Sequence, residues 1–298
     1  MILEMSAALV YTAVFSLLIT PADFTLARAM GAIDVPNDTR RMHTRPTPRL
    51  GGISIFASFI ILNLILQKET APDFLAILSG AFFIAILGIF DDSLGLSAKF
   101  KLIAQILITV AVLFSVGYSG ITDLLCVIWV LTLINSHNFI DGLNGLCAGV
   151  SIIEAVGLGI LFFIKGNIPQ STTAFILGGA CVGFFPYNFP TAKLFMGDTG
   201  STFLGFVLGI LSVIFLADSH GLWDFIAVFL IFLFPLTDIV ITVFRRVLKG
   251  QSPFAADRSH IHHLLAYRFG HRRASALIRF IAFLSALSGV LLYVIFSA

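Results

Sequence analysis

The chain is 298 residues long, 58% hydrophobic and 11% charged, with a formal net charge of +2. Soluble domains carry about 25% charged residues, so this composition excludes an ordinary soluble enzyme and indicates a polytopic membrane protein. Nothing in it calls for a nucleic-acid partner. Cys126, Cys147 and Cys181 lie in or beside apolar runs without ligand-like spacing, and read as small membrane-core residues rather than disulfide or zinc partners.

Taken in order, the runs that can cross a bilayer are Ile2–Thr20, Gly52–Leu66, Phe74–Phe90, Leu102–Val116 and Ile121–Ile134. They continue with Leu146–Ile164, Thr173–Tyr187, Thr202–Ala217, Phe225–Phe244 and Ala276–Phe296. At about 20 residues per span this predicts one all-α domain, residues 1–298, a bundle of about ten transmembrane helices. The first run is long enough to be a span and has no basic stretch before it, so no cleavable signal peptide is expected. With the connections numbered alternately, one side holds only Lys68 and Lys165, and the other holds the remaining 16 of the 18 Lys and Arg. By the positive-inside rule the basic loops are cytoplasmic and both termini lie outside.

Every polar island then falls on the cytoplasmic side. The richest is Asn135-Ser-His-Asn-Phe-Ile-Asp-Gly-Leu-Asn-Gly-Leu146, wedged between two apolar runs. Unpartnered polar groups are costly in hydrocarbon, so this stretch should face water or a ligand. Asp91-Asp92 repel unless a cation or protons neutralise them, which makes the pair a natural ligand set for a hard divalent ion. Asp198 lies in Met196-Gly-Asp-Thr-Gly-Ser201, ahead of an apolar run that reads as a helix, where backbone amides favour a phosphate. Mg²⁺ usually takes one or two carboxylates plus substrate phosphates, which matches so sparse an acidic inventory.

The last basic loop carries Asp257-Arg-Ser-His-Ile-His-His263. Three imidazoles can chelate zinc, but no Cys or carboxylate pairing accompanies them, so the cluster reads as hydrogen-bond donors for a pyrophosphate. His43, His137 and His271 read as loop residues without a comparable constellation. Glu154 and Asp238 fall inside spans, where acids are expensive and usually face the bundle interior. Structural pairing is the reading for Glu154. Asp238 stays open between a functional role and a pairing with Arg245 or Arg246.

Together these islands resemble the polyprenyl-phosphate N-acetylhexosamine-1-phosphate transferases, closest to the bacterial undecaprenyl-phosphate GlcNAc-1-phosphate type of glycosyltransferase family 4. The matching pieces run in order: Pro36, Arg41-Met-His43, Pro46, Pro48 and Gly51-Gly52, then Asp91-Asp92 and Leu96-Ser-Ala-Lys-Phe-Lys101. Asn135, Asn138 and Asp141-Gly142 follow, then Phe195–Ser201, Pro235 with Asp238, and Asp257-Arg258 with His260, His262 and His263. One departure is Asp141-Gly-Leu-Asn144-Gly, where many bacterial members have Asp-Gly-x-Asp-Gly. An amide there still offers a donor and an acceptor to a uracil edge.

The resemblance implies phosphoryl transfer from a UDP-N-acetylhexosamine to undecaprenyl phosphate at the bacterial plasma membrane, with UMP released. It assigns Asp198 and Asn138 to Mg²⁺ (Mn²⁺ being the alternative), with Asp91 and Asp92 beside them and Asp91 orienting or deprotonating the lipid phosphate. Lys101 and Lys99 would hold phosphate. His260, His262, His263 and Arg258 would line the sugar–pyrophosphate end, and Asp141 and Asn144 would face the nucleoside. A homodimer is compatible with this reading. The competing class is a transporter or flippase, against which stands the clustering of polar residues at one membrane face.

Overall fold

The computed structural model describes residues 2–35, 46–67, 72–118, 122–218, 221–248, 250 and 260–296. The described chain is helical apart from one small hairpin. Its helices are α1 (Ile2–Ala29), α2 (Gly52–Leu66), α3 (Pro72–Leu94), α4 (Ala98–Ser115), α5 (Thr122–Ile140) and α6 (Leu146–Ile164). Then come α7 (Ile168–Asn188), α8 (Gly197–Ala217), α9 (Leu222–Ile231), α10 (Leu233–Leu248), α11 (Ile261–Phe269) and α12 (His271–Phe296). Strands β1 (Ile33–Asp34) and β2 (Thr47–Pro48) pair antiparallel between α1 and α2.

The helix α8 is the axis of the bundle. Of its apolar stretch 83% is buried, against 28% for α1 and α12 and 22% for α4, which face outward. Packing in a membrane depends on close backbone approach, and small residues supply it. Gly52 at the start of α2 lies against the backbone of Gly200, and Gly88 in α3 against that of Thr199. A methyl group at either place would run into main chain, so these two glycines dock α2 and α3 onto the first turn of α8.

Among the described residues, eight helices are long and apolar enough to cross a membrane, and the bent α9–α10 pair makes a ninth if it is one span. The tenth predicted span, α2, has 15 residues and is about 22 Å long, short for a crossing. It nevertheless runs the depth of the bundle. Its first turn meets Gly200 at the start of α8, and at its far end Gln67 donates to the Pro169 carbonyl at the start of α7 (3.0 Å). The protein is a multi-pass membrane bundle.

Three expectations change. The predicted span Phe225–Phe244 is broken at Phe232, where α9 and α10 meet at a 76° bend. Pro235 explains the break: it has no amide proton for the Ile231 carbonyl, and its ring clashes with that group. The helix α5 continues through Ile140, so Ser136, His137 and Asn138 are helical and only the stretch from Asp141 to Gly145 is loop. Likewise Gly197-Asp-Thr-Gly-Ser201 is the first turn of α8 rather than a lead-in to it.

Candidate active site

The ends of α3, α5 and α8 and the start of α4 meet at one end of the bundle. Asp91 and Asp92 stand in the last turn of α3. Asp92 caps α8 from outside, as its carboxylate accepts the Asp198 amide (3.1 Å), the Thr199 amide (2.9 Å) and the Thr199 hydroxyl (2.7 Å). Free amides and the helix dipole at an N-terminus favour such an anion. Arg49, following β2, donates to the Asp92 carbonyl (3.1 Å) and lies 3.7 Å from its carboxylate. It also bridges to Phe195, while Gly51 and Gly52 donate to the Phe195 and Met196 carbonyls, fastening the first loop to the α8 start.

Asp91 faces the other way. One oxygen accepts the Leu96 amide (2.8 Å) and the other accepts Lys101 Nζ (2.8 Å), which also donates to Asp198 (2.9 Å). Ser97 caps α4 by accepting the Phe100 amide, and so places Lys101 in the first turn of α4. Asn138 donates to Ser201 (3.3 Å) and to Asp198. Asp141 accepts the Gly197 amide. Four carboxylates thus gather with Lys101 and Arg49 at one end of the bundle, a balance that favours an added cation.

The loop after α5 is held by Asn188, whose carbonyl oxygen accepts the Gly145 amide (2.7 Å) and whose amide donates to the Leu194 carbonyl (2.9 Å). Gly145 has φ 67°, a left-handed conformation that suits glycine. Ser275 in α12 donates to the Asn144 carbonyl (3.0 Å), tying the loop to the last helix. Between these elements opens a cleft of about 780 Å³, lined by Asp92, Asn138, Asp141, Asn144, Asp198 and His263 among others. A second cavity of about 700 Å³ lies at the opposite end, around Lys165. That amine is already engaged by the Phe215 and Asp218 carbonyls (2.9 and 3.1 Å) and by the Phe215 ring (3.9 Å). The acid cluster makes the first cleft the chemical one.

Asp141 gives the site a pH signature. Burial, reinforced by the Asp198 and Asp92 charges, raises its carboxyl well above the usual carboxylate range, against the Gly197 hydrogen bond. The folded chain then keeps a proton that the unfolded chain releases near about pH 4. Stability therefore falls as pH rises from that point through the folded-state value. In chelator-treated protein Asp141→Asn is expected to flatten this decline and raise the unfolding temperature at neutral pH. Melting curves that track wild type across the pH range would refute this.

Two comparisons bear on this arrangement. A family model described as Glycosyl transferase family 4 matches residues 74–216. A probable undecaprenyl-phosphate N-acetylglucosaminyl 1-phosphate transferase of Bacillus subtilis is 34% identical over 294 residues, covering 93% of this chain and 81% of its own. A decaprenyl-phosphate N-acetylglucosaminephosphotransferase of Mycolicibacterium smegmatis is 34% identical, over 85% of this chain and 73% of its own. The undecaprenyl-phosphate alpha-N-acetylglucosaminyl 1-phosphate transferase of Escherichia coli K12 is 31% identical, over 89% and 78%. The chain belongs to glycosyl transferase family 4.

In this family 4 protein the fold brings together Asp91, Asp92, Lys101, Asn138, Asp141 and Asp198, residues spread over 108 positions of the sequence. Asn144 and His263 also reach the cleft. Lys99 is exposed at the start of α4 and does not line it, and Arg258 lies outside the described residues. His260 and His262 are buried beneath the cleft. Asp238 pairs with them instead of with Arg245 or Arg246: it lies 2.7 Å from His260 Nδ1 and accepts the Ile261 amide (2.8 Å). The fold thus brings a carboxylate from α10 to the histidine segment.

His137, expected in a loop, is instead fully buried in α5 and bonded to Glu154 of α6 (2.7 Å). Glu154, expected to be paired for structural reasons, thus has its partner in His137. Sequence reasoning also passed over Arg49, Thr199, Thr191 and Arg272. The last two line the cleft and bond to each other at 2.9 Å, with no motif to announce them.

Proposed function

We propose that the protein transfers an N-acetylhexosamine 1-phosphate, GlcNAc 1-phosphate first among them, from a UDP-sugar to undecaprenyl phosphate, and so starts a cell-envelope polysaccharide. The observation that carries this reading is the convergence of Asp198, Asn138 and Asp141, which line one cleft at the end of a membrane bundle, with Asp91 and Lys101 bonded beside them. A lipid-borne acceptor and a water-borne donor can meet only at such a face. An oxygen of the lipid phosphate forms a bond to the β-phosphorus, and the bond from that phosphorus to the bridging oxygen breaks, so UMP leaves.

The donor set suits Mg²⁺: the Asp198 carboxylate and the Asn138 amide carbonyl are oxygen ligands, of the kind this ion takes beside substrate phosphates. When bound, Mg²⁺ neutralises charge on the transferring phosphoryl group. Asp91 orients the lipid phosphate and takes its proton, and Lys101 holds phosphate charge. Asp92 keeps the α8 amides in place. Asp141 and Asn144 meet the uracil edge, and His263 meets the sugar–pyrophosphate. Catalysis is then mainly positioning. Purified protein given undecaprenyl phosphate, Mg²⁺ and a panel of UDP-sugars should release UMP only when lipid and a UDP-N-acetylhexosamine are both present. Failure with every UDP-sugar overturns the proposal.

The cleft faces the cytoplasm and both termini lie outside the plasma membrane. In a cysteine-free background, Asn167→Cys is expected to react with an impermeant thiol reagent on intact cells and Lys193→Cys only after lysis. The reverse pattern inverts the topology.

A further inference from the structure

We propose that Asp238, His260 and His262 form a zinc site, separate from the oxygen-rich cluster in the cleft. One ligand atom from each lies within 4.8 Å of the others. His260 Nδ1 is 2.7 Å from one Asp238 oxygen and His262 Nδ1 is 3.7 Å from the other. Tetrahedral zinc with bonds of about 2.0–2.1 Å places its ligand atoms about 3.3 Å apart, between these two values. Small movements of the rings would therefore complete the geometry.

The second observation is His262 itself. It is fully buried, its Nδ1 stands 3.7 Å from Asp238, longer than a normal hydrogen bond, and its Nε2 has no hydrogen-bond partner among the described residues. Buried polar atoms nearly always have a partner, so an orphaned imidazole facing a carboxylate calls for one. The His260 and His262 rings stack at 5.3 Å with 24° between their planes, presenting Nδ1 atoms to the same carboxylate. Asp238 is oriented by the Ile261 amide, the kind of outer contact that fixes metal ligands.

Donor chemistry separates the two sites. Two imidazoles and one carboxylate suit zinc, whereas a set of carboxylates and an amide suits Mg²⁺. Metal entry displaces the proton shared by His260 and Asp238 to solvent. The ion would staple α10 to the start of α11. It would also brace the loop after α5, because Gly142 lies directly against the His262 ring. His263, the next residue, lines the cleft. With three protein ligands and the fourth position left to water, the site would hold this part of the cleft wall in place.

The inference stands apart from the transferase reading, because its readouts are metal content and a spectrum. Protein purified through a tag without histidine and equilibrated with zinc should keep about one zinc per chain after exchange into excess Mg²⁺. Cobalt in its place should give the visible bands of a tetrahedral site. His262→Gln and Asp238→Asn should lose both signals, with metal affinity down by more than the about 10- to 100-fold that an outer-shell change costs. Should either variant fail to fold, the wild-type cobalt spectrum decides. Substoichiometric zinc without tetrahedral bands, or a folded His262→Gln protein that still holds zinc, overturns the site and leaves a plain Asp–His hydrogen bond.

Discussion

Asp198→Asn is expected to lower kcat by about 10²- to 10³-fold, the loss typical of removing one preorganised electrostatic group. Asp198 is where three elements meet: Lys101 from α4 and Asn138 from α5 both donate to it, and it opens α8. The substitution removes one charge from the site proposed for Mg²⁺ while keeping size and shape. It should leave the fold intact, since Asp92 still caps the α8 amides and Lys101 still bonds Asp91. Circular dichroism and melting temperature should therefore match wild type while turnover at saturating Mg²⁺ and UDP-sugar collapses. Near-normal turnover would remove Asp198 from the chemistry.

The largest effect on stability belongs to the buried pair of His137 and Glu154. Both side chains are fully buried, and His137 is held at its second nitrogen by the Leu133 carbonyl (2.8 Å). Glu154→Leu strips the imidazole of its partner, and breaking a buried pair from one side costs about 3–5 kcal/mol. Replacing both residues by leucine removes the polar groups together and should restore much of that loss. Unfolding in detergent, followed for the two variants, checks this. A single variant as stable as wild type would mean the pair contributes nothing. His137 precedes Asn138, so the single variant should also slow turnover by loosening the end of α5.

What could be read in advance follows from the solvent. In a chain this apolar, Asp91, Asp92, Asp141 and Asp198 stand out because a bilayer tolerates few carboxylates, and their convergence follows once all fall on one face. Positions of helix ends were harder. Asn135 to Ile140 look like loop by composition, yet they stay helical because the Asn135 amide and the Ser136 hydroxyl donate to the Leu131 and Leu133 carbonyls within α5. Partnerships across elements were not legible at all. His137 and Glu154 are 17 residues apart, Asp238 and His260 are 22 apart, and no local pattern marks either pair. The break at Phe232 was signalled by Pro235, but a proline alone does not say whether a span kinks or splits.

The position of Lys101 between Asp91 and Asp198 has a consequence for how the site is loaded. The chain carries its own counter-ion, so the fold itself offsets part of the acidic cluster's charge. A divalent ion held between those carboxylates, as proposed above, would act by exchange, taking the place of a tethered ammonium rather than filling bare charge. The affinity measured for such an ion would then be a difference between two cations competing for the same oxygens. The amine so freed would then be available to the phosphate of the proposed acceptor.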